Sequence, residues 1–429
     1  MNRQLFVGPI IHSDPQGRLD VLQRAAILVE NGKIINISEN PKPGDINADY
    51  VRVLSAGQFL IPGFVDGHIH AAQFPNLGIG YNKCLLEWLE TYTFPIEKKY
   101  ADSAFAELVY EAVVKRTLTM GTTTACYFAS LHTESSLILA KQAVKYGQRC
   151  LVGKVNMNHS RKDGYCESTK ESIAGTTKMI KEIAELNSSL IMPVITPRFA
   201  LSCDMELMTE LGKLAKEMKV HVQTHISENL DEIEAVTTAY KEYPSYAAVY
   251  DAAGLLTNKT VLAHGIHLGD SELALLKSRG SAVIHCPSSN TCLRSGLCDV
   301  QRLKDRGLKI GLGTDISGGD SSCMLNVMRA ALQVSYHLSI LTPGYTPLNY
   351  KDVFHLATLG GATALAMQDE IGSFVPGKQF DALVIDLNGS NGPLDNLIEY
   401  TLENRLERLI HSGDDRNIVE VYVAGHRVK

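Results

Sequence analysis

Residues 59–70 read FLIPGFVDGHIH, an apolar run that ends in two histidines one residue apart. On a strand, side chains at i and i+2 share a face, so His68 and His70 converge on one spot. Convergent imidazoles suit a metal ion, although a lone His-x-His pair serves as often to hydrogen-bond backbone in a loop. Other apolar runs end in polar residues too: Arg198 in LIMPVITPR, His225 and Glu228 in HVQTHISE, His264 in TVLAHGIHL and Asp315 in KIGLGTDIS. His68, His70, His225 and Asp315 make a nitrogen and oxygen donor set suited to Zn2+, with iron(II) and manganese as open alternatives. No cysteine falls at these positions in ligand spacing. A bound cation lowers the pKa of its water toward ~7. Glu228, just past the strand that carries His225, is placed to take and return the protons without itself binding the metal.

The elements that must position these groups follow from the periodicity. Eight apolar segments read as strands: GFVDGHIH, TTTACYFA, RCLVGKVNM, LIMPVITPR, HVQTHISE, TVLAHGIHL, SAVIHCPSS and KIGLGTDIS. Helix-like stretches lie between them, among them SAFAELVYEAVVKRTLTM, STKESIAGTTKMIKEIAELN, MELMTELGKLAKEMK and DSELALLKSRG, several preceded by Ser, Asp or Thr as N-caps. Eight such repeats predict an α/β fold, a (β/α)8 TIM-like barrel whose active site opens at the C-terminal ends of the strands, where the polar residues stand. YKDVFHLATLGGATALAM continues the helical texture after the eighth strand. The first ~60 residues alternate apolar and polar positions, with Asn31-Gly32 as a hairpin turn, and the tail returns to strand patterns in PGKQFDALVIDL and IVEVYVAGHRV. Residues 1–60 and 370–429 are therefore expected to form one composite β-sandwich domain, with the barrel over 61–369.

Composition narrows the functional classes. The chain has 429 residues, 45% hydrophobic and 21% charged, which is ordinary for a globular protein with a large core. A net charge of -6 gives no basic footprint for nucleic acid, so a small-molecule partner is expected. The nine cysteines lack a Cys-x-x-Cys pair and predict reduced thiols, hence a cytoplasmic protein without disulfides. No apolar run reaches the ~18 residues of a membrane span, and no membrane association is expected.

Taken together, PGFVDGHIH, THISE, AHG, HCPSSN and GTD resemble the mononuclear deaminase branch of the amidohydrolase superfamily, over nearly the whole chain. VDGHIHAAQF, CLLEWLETYTFPIE, MGTTTACYFASLHTESS, TPRFALSC, VQTHISEN and GTDISGG are similar to the guanine deaminase family within it. That resemblance implies one Zn2+ per subunit on His68, His70, His225 and Asp315, a homodimer, and hydrolysis of guanine to xanthine and ammonia in purine catabolism. It implies that Glu228 protonates the purine ring at N3, and that His264 orients the attacking water. Asp315 would accept a proton from that water and pass one to the departing amine. It also implies that Gln73, Arg198 and Phe199 hold the base. The chemistry agrees: a guanidinium satisfies a carbonyl oxygen, an amide pairs with an amide-like edge, and a phenyl ring covers a flat face. The fourth strand carries no lysine to bridge a second metal, and Lys154 belongs to the third.

Two rival readings share these residues. One is another mononuclear amidohydrolase, acting on an adenosine-like, cytosine or chlorotriazine substrate through the same metal and Glu228. The other is a non-catalytic scaffold on the same fold, against which the full set of ligands and Glu228 argues.

Overall fold

The computed structural model describes residues 3–41, 46–389 and 392–429. Eight parallel strands form the barrel: β1 (Phe64–His70), β2 (Thr122–Phe128), β3 (Arg149–Gly153), β4 (Ile191–Pro197), β5 (His221–Ile226), β6 (Thr260–His264), β7 (Ala282–His285) and β8 (Lys309–Leu312). Neighbours along the chain are neighbours in the sheet, from β1 through to β8. Past the end of β8 the ring is completed by backbone bonds, from Asp315 N–H to the His68 carbonyl at 2.9 Å and from His70 N–H to the Ile316 carbonyl at 3.1 Å. The helices cover the outside of this ring, so its strands are buried on both faces and their sequences are apolar runs rather than alternating ones.

The helices start where the local sequence supplies caps. Asp102 accepts from Ala104 N–H, Asp204 accepts from Leu207 N–H, and Ser168 with Glu171 forms a reciprocal capping box. Gly147 (φ 72°) and Gly280 (φ 70°) end two others in the left-handed conformation, which costs a residue without Cβ nothing. Two segments expected to be continuous are interrupted. The third-strand segment breaks at Lys154, whose ammonium turns to Glu167 and the Val155 carbonyl, and Val155–Asn156 resumes as a short bridge to β4. The helical stretch after β8 splits at Thr358 into Tyr350–Ala357 and Leu359–Ala364. The second piece presses against the barrel so closely that a Cβ on Gly361 would sit 2.9 Å from the Val65 side chain.

The terminal segments pair in one mixed sheet. Its main path runs His426–Arg427, Ile418–Val423, Ala382–Asp386, Gln58–Pro62, Arg3–Ser13, Leu19–Glu30 and Lys33–Glu39, with Tyr50–Val53 added beside Arg3–Ser13. Asn31 (φ 50°) and Gly32 (φ 80°) make its expected two-residue hairpin turn, the type whose twist matches the flanking strands. A buried bidentate pair, Arg149 to Asp381 with both bonds at 3.1 Å, fastens the barrel to this sheet. The helix Leu402–Ser412 packs instead on the barrel helix Met324–Leu341. Among the described residues no helix is long and apolar enough to cross a membrane.

Candidate active site

β1 delivers His68 and His70 into the mouth of the barrel, β5 delivers His225, and the turn after β8 delivers Asp315. One potential ligand atom from each lies within 4.8 Å of all the others. Asp315 Oδ1 stands 3.2 Å from His68 Nε2 and 3.3 Å from His70 Nε2, and the Nε2 atoms of His70 and His225 are 3.1 Å apart. His225 Nδ1 donates to the Arg198 carbonyl at 2.6 Å, so its Nε2 presents a lone pair to the cluster. His68 Nε2 is buried without a hydrogen-bond partner. Buried lone pairs aimed at one point fit a divalent metal ion, which gives each of them a partner.

Electrostatics agree with that fit. Burial holds His70 down at about 4 and also lowers His68 and His225, so all three imidazoles are neutral donors. Burial works against ionisation of Asp315, but the imidazoles of His68 and His70 beside it outweigh this and hold its carboxyl well below the ordinary value. Burial pushes Glu228 up to about 8, with the charge of Asp315 adding to the effect.

Glu228 sits on the rim of this cluster. Its Oε1 accepts from the Ser295 hydroxyl at 3.1 Å, and its Oε2 lies 3.4 Å from His264 Nε2. His264 Nδ1 donates to Asn290 Oδ1 at 2.9 Å, leaving Nε2 free, 3.8 Å from Asp315 Oδ2. Backbone strain gathers at the same place: Ser227 (φ 48°), His264 (φ 73°) and Asp315 (φ 47°) all adopt the left-handed region.

Above the cluster a pocket is lined by Gln73, Arg198 and Phe199, together with His70, Glu228 and His264. All nine residues singled out in the sequence therefore meet at one mouth. Others had not been singled out. Leu85, Trp88 and Leu89 form the apolar wall, and their i, i+3, i+4 spacing in CLLEWLETYTFPIE was the available signal. Glu97, at the end of that stretch, forms a buried bidentate ion pair with Arg198 at 2.7 and 3.1 Å. No local pattern could have announced a partner 101 residues away.

A barrel of this topology with this cluster defines a class, and comparison with known proteins gives the same class: the model of the amidohydrolase family matches residues 59–428. The chain belongs to the amidohydrolase family. Within it, the chain is 44% identical over 436 residues to guanine deaminase of Homo sapiens, covering 99% of this chain and 96% of that protein. It is 40% identical over 441 residues to guanine deaminase of Dictyostelium discoideum, covering 99% and 98%. The solved structure of guanine deaminase from C. acetobutylicum with bound guanine in the active site superposes with a TM-score of 0.92 at 36% identity, covering 100% of both chains.

Proposed function

We infer that the protein is a guanine aminohydrolase, a hydrolase that converts guanine and water to xanthine and ammonia. The observation that carries this reading is the junction of two sets of groups. A three-histidine, one-aspartate cluster with a buried proton carrier lies directly beneath a pocket lined by a guanidinium, an amide and a phenyl ring. The structure of a full-length relative with guanine in its active site supports it.

His68, His70, His225 and Asp315 would hold one Zn2+ per subunit. The ion, when bound, supplies Lewis acidity that makes water nucleophilic near neutral pH. A single ion is supported by Lys154, which turns to Glu167 rather than toward the cluster. The remaining work belongs to side chains. Phe199 covers one face of the base, while Gln73 and Arg198 hold its oxo edge, and together they bring the amine-bearing carbon over the cluster. The oxygen of water bonds to that carbon. One of its protons reaches ring N3 through Glu228, whose raised pKa suits both uptake and release near pH 7. The other passes through Asp315 to the amine as the C–N bond breaks, so ammonia leaves and the ring retains a carbonyl. His264, with Nδ1 engaged by Asn290, offers Nε2 to orient the attacking water.

The same proposal includes a homodimer, a cytoplasmic location and a role in purine catabolism. All nine cysteines are free, which supports a reducing compartment. It also includes the division into a terminal domain (1–60 with 370–429) and a barrel domain (61–369), supported by two sheets that share no strand. Ammonia release measured side by side from guanine, cytosine, adenine and adenosine tests the activity. Release from guanine alone is expected, and none from guanine would reject it.

A further inference from the structure

Glu97 does not line the pocket, yet it touches Gln73 and Arg198, which do. Its Oε1 accepts from Gln73 Nε2 at 3.1 Å and from an Arg198 nitrogen at 3.1 Å. Its Oε2 accepts from the other Arg198 nitrogen at 2.7 Å and from the Tyr165 hydroxyl at 3.2 Å. Glu97 and Arg198 are both buried, and the guanidinium carbon lies 4.8 Å from the centroid of the Phe94 ring.

A carboxylate only accepts, so Gln73 must turn its amide nitrogen toward Glu97. On its other side Gln73 Oε1 accepts from Ser317 N–H at 3.2 Å, which demands the same orientation. The amide is therefore locked against a flip, with one N–H and one oxygen lone pair left over in a fixed order. A 6-oxo purine presents an acceptor at O6 and a donor at N1, which matches that order. A 6-amino purine presents a donor and then an acceptor, which matches only the flipped amide.

We propose that Glu97 is a specificity-determining positioning residue, which acts through Gln73 and Arg198 to fix the donor and acceptor edge that admits 6-oxo purines. This rests on the guanine reading of the site. The test uses the metal-loaded enzyme, its Glu97→Gln variant, and 2,6-diaminopurine as a competitor carrying an amine where guanine has the oxo group. Glu97→Gln should raise KM for guanine at least tenfold with kcat within threefold. It should also lower the Ki of 2,6-diaminopurine relative to that KM at least tenfold. In a Gln73→Ala background, adding Glu97→Gln should raise KM by a factor at least threefold smaller than in the wild-type background, because one of the two groups it acts through is gone. An unchanged KM, an unchanged ratio of Ki to KM, or an undiminished effect in the Gln73→Ala background would overturn the proposal, the last two marking a merely structural ion pair. If Glu97→Gln does not fold, Tyr165→Phe removes one of the four donors, and a guanine KM rise of twofold or more is required of it. Wild-type enzyme inactive on guanine would instead reject the activity itself.

Discussion

Thr314 donates twice to Asp66, from its hydroxyl to Oδ2 at 2.6 Å and from its backbone N–H to Oδ1 at 3.0 Å. The same Oδ1 accepts from His68 N–H at 3.3 Å. One buried carboxylate thus joins the first strand of the barrel to the turn after the eighth, each time at the residue beside or two before a candidate ligand. It is where a linear chain of βα units becomes a ring with a shared mouth.

Asp66→Ala would strand two buried donors on Thr314. Each such donor costs about 1–3 kcal/mol, so a loss of about 2–6 kcal/mol of stability is expected by urea unfolding, together with reduced metal content after gel filtration. Full stability with full metal content would mean that the ring closes without this pair.

Glu228→Gln keeps the shape of the side chain and removes its proton traffic. Turnover of guanine should fall by about a hundredfold or more while the metal content is unchanged. A variant of full activity would remove Glu228 from the proposed mechanism.

On the proposed reading Arg198→Ala removes a charged hydrogen bond to the base, worth about 1.5–3 kcal/mol, or roughly ten- to hundredfold in KM. It also leaves Glu97 buried and unpaired, which costs about 3–5 kcal/mol of stability. Calorimetry and steady-state kinetics on one preparation should show both losses.

His221, at the start of β5, donates from Nε2 to the Leu365 carbonyl at 2.9 Å, and burial holds it at about 4, below its ordinary 6.5. As the pH falls through 6.5 the unfolded chain takes up a proton that the folded chain refuses until about 4. Stability is therefore lost progressively across that window, by about 3 kcal/mol in total. His221→Gln should flatten that part of the stability profile, measured as urea unfolding at pH 7 and pH 4.5.

The order of elements and the candidate ligands were legible because they rest on local rules. An apolar run bounded by turn residues is a buried strand whatever surrounds it, and a histidine at its end lies at the barrel mouth once eight such runs follow one another. His68, His70, His225, Glu228, His264 and Asp315 could all be named for that reason, and Asn31-Gly32 announced its hairpin by backbone chemistry alone. The breaks at Lys154 and Thr358 were hidden, since each follows from a contact made by the folded chain: an ammonium drawn to Glu167, and a glycine pressed on Val65.

What the linear order of residues determined by itself was the number of βα units and the chemistry collected at their tips, because hydrophobic period, capping and turn preference act over a few neighbours. Only the closed barrel decided which groups became partners. Glu97 and Arg198 stand far apart in the chain, and nothing in either neighbourhood favours the other. Burial brings them together and makes their pairing compulsory, since neither charge can be left without water or a counterion.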